Sequence, residues 1–85
     1  MQEDITPRVI RVIAATQHIP AETISAASSF EELKIDSLDG INIVFALENE
    51  FDVNIPDDDL KAIRGVPEVV EGITKLLRQK AEQAG

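Results

Sequence analysis

The sequence has no cysteine, no tryptophan and no tyrosine, and each absence excludes a class of structure. Without cysteine there is neither a disulfide nor a thiolate metal cluster, which fits a reducing compartment. With only three phenylalanines, the hydrophobic core must be largely aliphatic. No apolar run reaches the roughly 18 residues that a membrane-spanning helix needs. The N-terminus, Met1 to Asp4, is acidic where a secretory signal begins basic, so we expect a cytoplasmic protein.

The chain does carry a large acidic charge, and that charge is concentrated in one segment. The 85 residues suffice for one domain, 1–85, and the formal net charge is -8. Half of the 16 acidic residues lie between Ile35 and Leu60, where there is no lysine or arginine, and outside this segment acids and bases balance. Such a segment repels nucleic acid and anionic membranes and attracts partners with basic patches.

The spacing of apolar residues, together with residues typical of helix ends, predicts four helices and no strand. The first covers about residues 5–17, with Thr6 as its N-cap, Pro7 at the first helical position and Arg8 facing away from the core. A long ordered loop, 20–35, follows. Four apolar side chains should anchor this loop to the core: Ile24, Phe30, Leu33 and Ile35.

Two helices are predicted in the last third of the chain. The short one, 57–63, has three aspartates in its first turn, which suits the helix dipole, and Gly65 ends it. The last helix begins at Val66 and continues to about Lys80, with 79–85 frayed. With the helix that starts after Asp36, these elements predict an all-α four-helix bundle with three longer helices and one short one.

The helix after Asp36 is unusual because it has two apolar faces. Asp36 suits its N-cap, and Asp39, three residues later, resembles a capping box with Asp in place of Glu. At helical spacing the core face consists of Gly40, Ile43, Val44, Leu47 and Phe51. A second stripe lies roughly opposite: Leu38, Ile41 and Phe45. Either the loop 20–35 folds over this stripe, or the stripe is an exposed docking patch beside Ser37, or both hold in part.

The segment from Phe30 to Ile63 reads FEELKIDSLDGINIVFALENEFDVNIPDDDLKAI. Its Asp36-Ser37-Leu38 core, the aliphatic helix that follows and the acidic short helix after Ile55-Pro56 closely resemble the acyl carrier protein family. The resemblance implies a four-helix bundle in which a transferase moves 4′-phosphopantetheine from coenzyme A onto a serine. The arm then carries acyl chains as thioesters, and because this chain has no cysteine, the thiol must come from the arm.

The resemblance also implies which residues act. Ser37 is the attachment site, flanked by Asp36 and Leu38. The partners are a phosphopantetheinyl transferase and acyl-loading and acyl-processing enzymes with basic patches, and the protein itself is a monomer. The docking residues expected on the helix are Leu38, Asp39, Ile41, Phe45, Glu48 and Asp52. An acyl chain should lie between the helices, against Val44, Leu47, Ile55, Leu60 and Ile63, with room beside Ala46 and Ala62.

Several positions depart from the pattern of the family. Lys34 stands where glycine is usual, Asn42 where many fatty-acid carriers have Glu, and Phe45 where Met is common. Gly40 lies inside a helix, at a cost of about 1 kcal/mol relative to Ala. These departures leave open whether the carrier serves fatty-acid, polyketide or related lipid synthesis. A peptidyl or aminoacyl carrier is the alternative cargo class.

Three other functions are weighed against a carrier. An enzyme could pair Ser37 with His18, the one histidine, but that residue follows a different helix. A calcium loop starting at Asp52 would place Asp57 where glycine is required and Ile63 where Glu is required, so no metal site is expected. An acidic interaction module without a prosthetic group is the third alternative.

Overall fold

The computed structural model describes residues 4–84, with side chains described as far as residue 82. Residues 1–3, part of the acidic N-terminus on which the cytoplasmic prediction depends, lie outside the described range. Its four helices are α1 (Thr6–Gln17), α2 (Ser37–Phe51), α3 (Asp57–Ala62) and α4 (Val66–Ala84). Over this range there is no strand, only an isolated antiparallel bridge between Ser29 and Gly65. The predicted bundle of three longer helices and one short helix is confirmed. No helix among the described residues is long and apolar enough to cross a membrane.

Two helix ends differ from the prediction. Thr6 is the first helical residue rather than the N-cap, and its backbone N–H donates to the Asp4 carboxylate at 3.0 Å. The predicted fraying from Gln79 is wrong as far as Ala84, where α4 ends, and Gly85 lies outside the described residues. The late turns of α4 gain a tertiary contact through Lys80, whose ammonium donates to the Asp52 carboxylate at 2.7 Å.

The core is aliphatic, as the scarcity of aromatic residues predicts. α1 packs against both α2 and α4. The largest fully buried side chains are Val9 and Ile13 of α1, Ile43 and Leu47 of α2, and Val66, Val69 and Ile73 of α4. Phe51 at the end of α2 contributes the one buried aromatic ring among the described residues. The predicted core face of α2 is therefore confirmed.

The loop between α1 and α2 is held by apolar anchors and by backbone hydrogen bonds. Ile24 and Ile35 are buried, and Phe30 and Leu33 pack partly buried against the core, as predicted. The Phe30 N–H donates to the Arg64 carbonyl, and the Val66 N–H donates to the Ser28 carbonyl, each at 2.9 Å.

Gly65 makes this close approach of loop and helix connection possible. A Cβ atom at position 65 would lie 2.5 Å from the Ser28 carbonyl oxygen and 2.7 Å from the Ser29 Cα atom. Any other residue would push the two backbones apart. The sequence indicates only that Gly65 ends α3, and its second role depends on the tertiary contact.

Basic side chains of α1 and α4 form ion pairs with two acidic residues of the segment 35–60. Arg8, predicted to face away from the core, is partly exposed but covers the edge of the core: its guanidinium pairs with the Glu50 carboxylate at 3.0 Å and lies 4.4 Å from the centroid of the Phe51 ring. Lys80 pairs with Asp52 at 2.7 Å. The far end of α2 is thus partly neutralised, whereas the acids at its start have no such pairing among the described residues.

Candidate functional site

Ser37 is the first residue of α2, and its side chain is exposed. Asp36 is the N-cap, as predicted, because its carboxylate accepts a hydrogen bond from the Asp39 N–H at 2.9 Å. The reciprocal bond of a capping box is not formed within residues 4–82, since an Asp at this position is one methylene shorter than Glu. The first intrahelical bond runs from the Gly40 N–H to the Asp36 carbonyl.

The N–H groups of Ser37 and Leu38 therefore precede the first hydrogen bond of the helix and point toward its open end. The start of a helix carries a partial positive charge, and N–H groups at such a position are suited to bind a phosphate. A phosphodiester on the Ser37 hydroxyl fits this position. The nearby carboxylates of Asp36 and Asp39 offset part of the gain.

The serines of the loop are in a different setting. The Ser28 hydroxyl is buried, accepts from the Ser25 N–H at 2.9 Å and lies 3.1 Å from the Ser25 hydroxyl. The Ser29 hydroxyl accepts from the Glu32 N–H at 3.0 Å. These three hydroxyls hold the loop in shape, whereas Ser37 is presented at a helix start.

A groove of about 570 Å³ opens beside Ser37, between α2, the preceding loop and the end of α3. One face of α2 lines it: Ser37, Gly40, Ile41 and Val44. The loop and α3 side contributes mainly Phe30, Ile35, Leu60, Ile63 and Arg64. Because Ile35 and Val44 are buried, the groove leads from the exposed serine toward the core.

The residues predicted to surround an acyl chain are divided by the structure. Three of them line the groove beside Ser37: Val44, Leu60 and Ile63. Ile55 and Ala62 instead line a second groove of about 220 Å³ between α3 and α4, and Ile63 lines both grooves. Leu47 is fully buried, and neither it nor Ala46 lines either groove. Sequence spacing groups all of these as core, and only the packing of α3 separates them.

The second apolar stripe of α2 is exposed. Leu38, Ile41 and Phe45 are 73%, 47% and 58% accessible, and they are the large exposed hydrophobic side chains of the described chain. The alternative that the loop 20–35 covers this stripe is wrong, because the anchors of the loop turn toward the core instead. An apolar patch therefore adjoins Ser37.

The acids predicted to surround this patch differ in what they contact. Asp39 is half-buried in the first turn of α2. The Glu48 carboxylate accepts a hydrogen bond from the Ile55 N–H at 2.8 Å and so holds the turn after α2. Asp52 ends α2 in the left-handed conformation, and its hydrogen bond from Lys80 and the Lys80 charge lower the pKa of its carboxyl. Of these three carboxylates, only that of Asp39 has no hydrogen bond or ion pair among the described residues.

Gly40 and Lys34 are the features of the site that sequence reasoning undervalued. Gly40, which helical spacing places on the core face, is only half-buried and lines the groove. Lys34 has a φ of 59°, in the left-handed region that favours glycine. Its N–H donates to the Glu31 carbonyl and the Ile35 N–H donates to the Phe30 carbonyl, which closes the turn leading into Asp36.

Comparison with known proteins agrees with this geometry. Residues 7–73 match the family described as Phosphopantetheine attachment site. The chain is 34% identical over 74 residues to the mitochondrial acyl carrier protein of Dictyostelium discoideum. These 74 residues are 87% of this chain and 62% of that protein. The chain thus spans less than two thirds of the length of that relative. Its fold matches the crystal structure of an acyl carrier protein from Thermotoga maritima with a TM-score of 0.75 and 28% identity, over 85% of each chain.

Proposed function

Because the chain belongs to the acyl carrier protein family, whose members bear phosphopantetheine, we propose that it carries acyl groups as thioesters on an arm attached to Ser37. It would present them to enzymes of fatty-acid, polyketide or related lipid synthesis. In this role it is a carrier and not an enzyme. The arm supplies the thiol that the cysteine-free chain lacks.

The observation that carries the proposal is the position of Ser37, exposed at the first residue of α2 and next to a groove that leads to the core. On attachment, the serine oxygen forms a bond to phosphorus, adenosine bisphosphate leaves coenzyme A, and the hydroxyl proton is released. Asp36 fixes the start of the helix by accepting a hydrogen bond from the Asp39 N–H, and Ser37 is thereby held at the first helical position, where its hydroxyl is exposed to the transferase.

The test is a mass measurement after incubation with coenzyme A and a phosphopantetheinyl transferase. Wild-type protein should gain the mass of one phosphopantetheine, and Ser37→Ala should gain none while its helical circular dichroism is retained. Ser25→Ala, at an exposed serine of the loop, is the matched control and should be modified normally. Modification of Ser37→Ala contradicts the assignment, and a wild-type chain that stays unmodified supports an acidic module without a prosthetic group.

Partner enzymes are proposed to dock on the exposed stripe of α2 together with the acids around it. Leu38, Ile41 and Phe45 supply apolar area, and Asp39 supplies a carboxylate that has no hydrogen bond or ion pair among the described residues. Glu48 and Asp52 belong to the same proposal, although both carboxylates already have contacts within the chain. Mixed apolar and charged contacts of this kind are typical of transient interfaces.

Charge reversal tests the docking proposal. Asp39→Lys should slow modification or acyl transfer, with a loss that deepens at low salt because the repulsion is then unscreened. Glu22→Lys makes the same charge change in the exposed turn of the loop and should have a much smaller effect. Equal rates for Asp39→Lys and Glu22→Lys at low ionic strength would show that the charge at the start of α2 is not used.

The acyl chain is proposed to enter the groove beside Ser37 instead of staying in water, since burial of apolar surface is worth about 25 cal/mol per Å². A carrier loaded with an octanoyl group should then melt at a higher temperature than the carrier with the bare arm. Equal melting temperatures, with the thioester shown intact by mass, would place the chain outside.

Compartment and oligomeric state remain predictions. We propose a cytoplasmic location on the basis of composition, whereas the name of the Dictyostelium discoideum relative gives a mitochondrial one. Fractionation of the source cells tests the first, and light scattering tests the predicted monomer.

A further inference from the structure

The two helical glycines of the described chain, Gly40 in α2 and Gly72 in α4, have no structural need to be glycine. Neither has a positive φ, so their backbone conformations suit any residue. A Cβ atom built on either would meet nothing within 4 Å, so no neighbour excludes a side chain. Gly65 is the contrast, because there a Cβ atom would clash with the loop backbone.

What distinguishes Gly40 is its place in the groove. It lies three residues after Ser37, on the face of α2 that continues through Ile41 to Val44. At 1.5 Å per residue, this face extends about 10 Å from Ser37 to Val44, and Gly40 lies near its middle. Gly72 lines the other groove, between α3 and α4.

We propose that Gly40 is the specificity-determining residue of the groove and widens it for acyl groups that are branched close to the thioester. This inference rests on the proposed attachment at Ser37 and on entry of the acyl chain into the groove. If the arm folds back from Ser37 so that its thioester lies at the mouth of the groove, the acyl chain passes Gly40 on its way toward Val44, with Leu60 and Ile63 among the residues of the facing wall. The missing side chain leaves space there for a branch, and a methyl group on residue 40 would occupy the same space.

The experiment compares two isomeric acyl groups, octanoyl and a form branched at the carbon next to the carbonyl. A phosphopantetheinyl transferase loads each from its coenzyme A ester, and mass spectrometry establishes complete loading. The readout is the rise in melting temperature of the loaded carrier over the carrier with the bare arm. Because the two groups have the same atoms, a difference between them reports shape and not hydrophobic content.

In the wild type, the branched group should raise the melting temperature at least as much as octanoyl does. Gly40→Ala should reduce the rise from the branched group roughly two-fold or more, because apolar area is no longer buried, and Gly40→Val should reduce it further. The rise from octanoyl should change less. Both variants should have unloaded melting temperatures at or above that of the wild type, since Ala and Val are better helix formers than Gly.

Gly72→Ala and Gly72→Val are the matched controls, because they make the same changes at an equally open helix position outside this groove. They should leave both rises unchanged. Unchanged rises in the Gly40 variants, or equal losses in the Gly72 variants, overturn the role of Gly40 while leaving Ser37 as the carrier site. If the wild type takes up neither group at Ser37, the proposed function fails and this inference fails with it.

Discussion

The two apolar faces of α2 have almost the same composition but opposite environments. The core face, which includes Ile43 and Leu47, is fully buried, whereas the face formed by Leu38, Ile41 and Phe45 is about half or more exposed. Burial makes the first face a source of stability. The second face contributes little to folding and is available for contacts with other molecules. The apolar content of a helix therefore does not by itself identify the face that packs in the core.

The same substitution on both faces of α2 should have very different effects on stability. Leu47→Ala should lower the free energy of unfolding by about 2–5 kcal/mol, because it leaves a cavity in the packed core. Leu38→Ala should change it by no more than about 0.5 kcal/mol, because that side chain is exposed. Urea denaturation measures both. Similar losses would mean that the second face is also packed.

The acidic residues of α2, like its leucines, should differ in how much each contributes to stability. Glu48→Ala removes the acceptor of the Ile55 N–H and should cost about 1–3 kcal/mol of unfolding free energy. Glu48→Gln keeps an acceptor of the same length and should cost less. Asp39→Ala removes only a favourable charge in the first helical turn, at about 0.5 kcal/mol. If Asp39→Ala costs more than Glu48→Ala, the assignment of roles to the two acids is wrong.

The turn before α2 offers a change in the opposite direction. Lys34→Gly should raise the unfolding free energy by about 1 kcal/mol, because glycine adopts the left-handed conformation without strain. This value already allows for the greater conformational freedom of glycine in the unfolded chain, which offsets part of the gain. Lys34→Ala removes the same charge without relieving the strain and should give no such gain. Chemical denaturation of both variants separates strain from charge, and an equal gain in both would assign the effect to the charge.

The smallest effect is expected at the far end of α2. Lys80→Met removes the partner that lowers the pKa of Asp52, so its cost should be present at neutral pH. The cost should disappear as the pH falls below the ordinary carboxyl value of 3.8 and through the lower folded-state pKa, where Asp52 is protonated in both folded and unfolded states. Lys75→Met, at an exposed position of the same helix, is the control. A pH-independent cost would show that the ion pair is not its source.

The sequence alone determined the helices, the core faces and the place of Ser37, because these depend on local rules. Helical spacing predicts which residues of α2 are buried, and an Asp before the helix predicts the N-cap at Asp36. The resemblance over Phe30–Ile63 adds the identity of the family, which the match over residues 7–73 confirms.

Other features depend on contacts between residues far apart in the chain and are visible only in the folded structure. The pairs of Arg8 with Glu50 and of Lys80 with Asp52 join residues 42 and 28 positions apart, beyond the reach of any local pattern. The same holds for the contact that requires glycine at position 65, for the exposure of the second stripe of α2 and for the division of the apolar residues between two grooves. These features depend on where the loop and α3 lie against α2 and α4, and the free energy that places them there comes from burial across the whole chain.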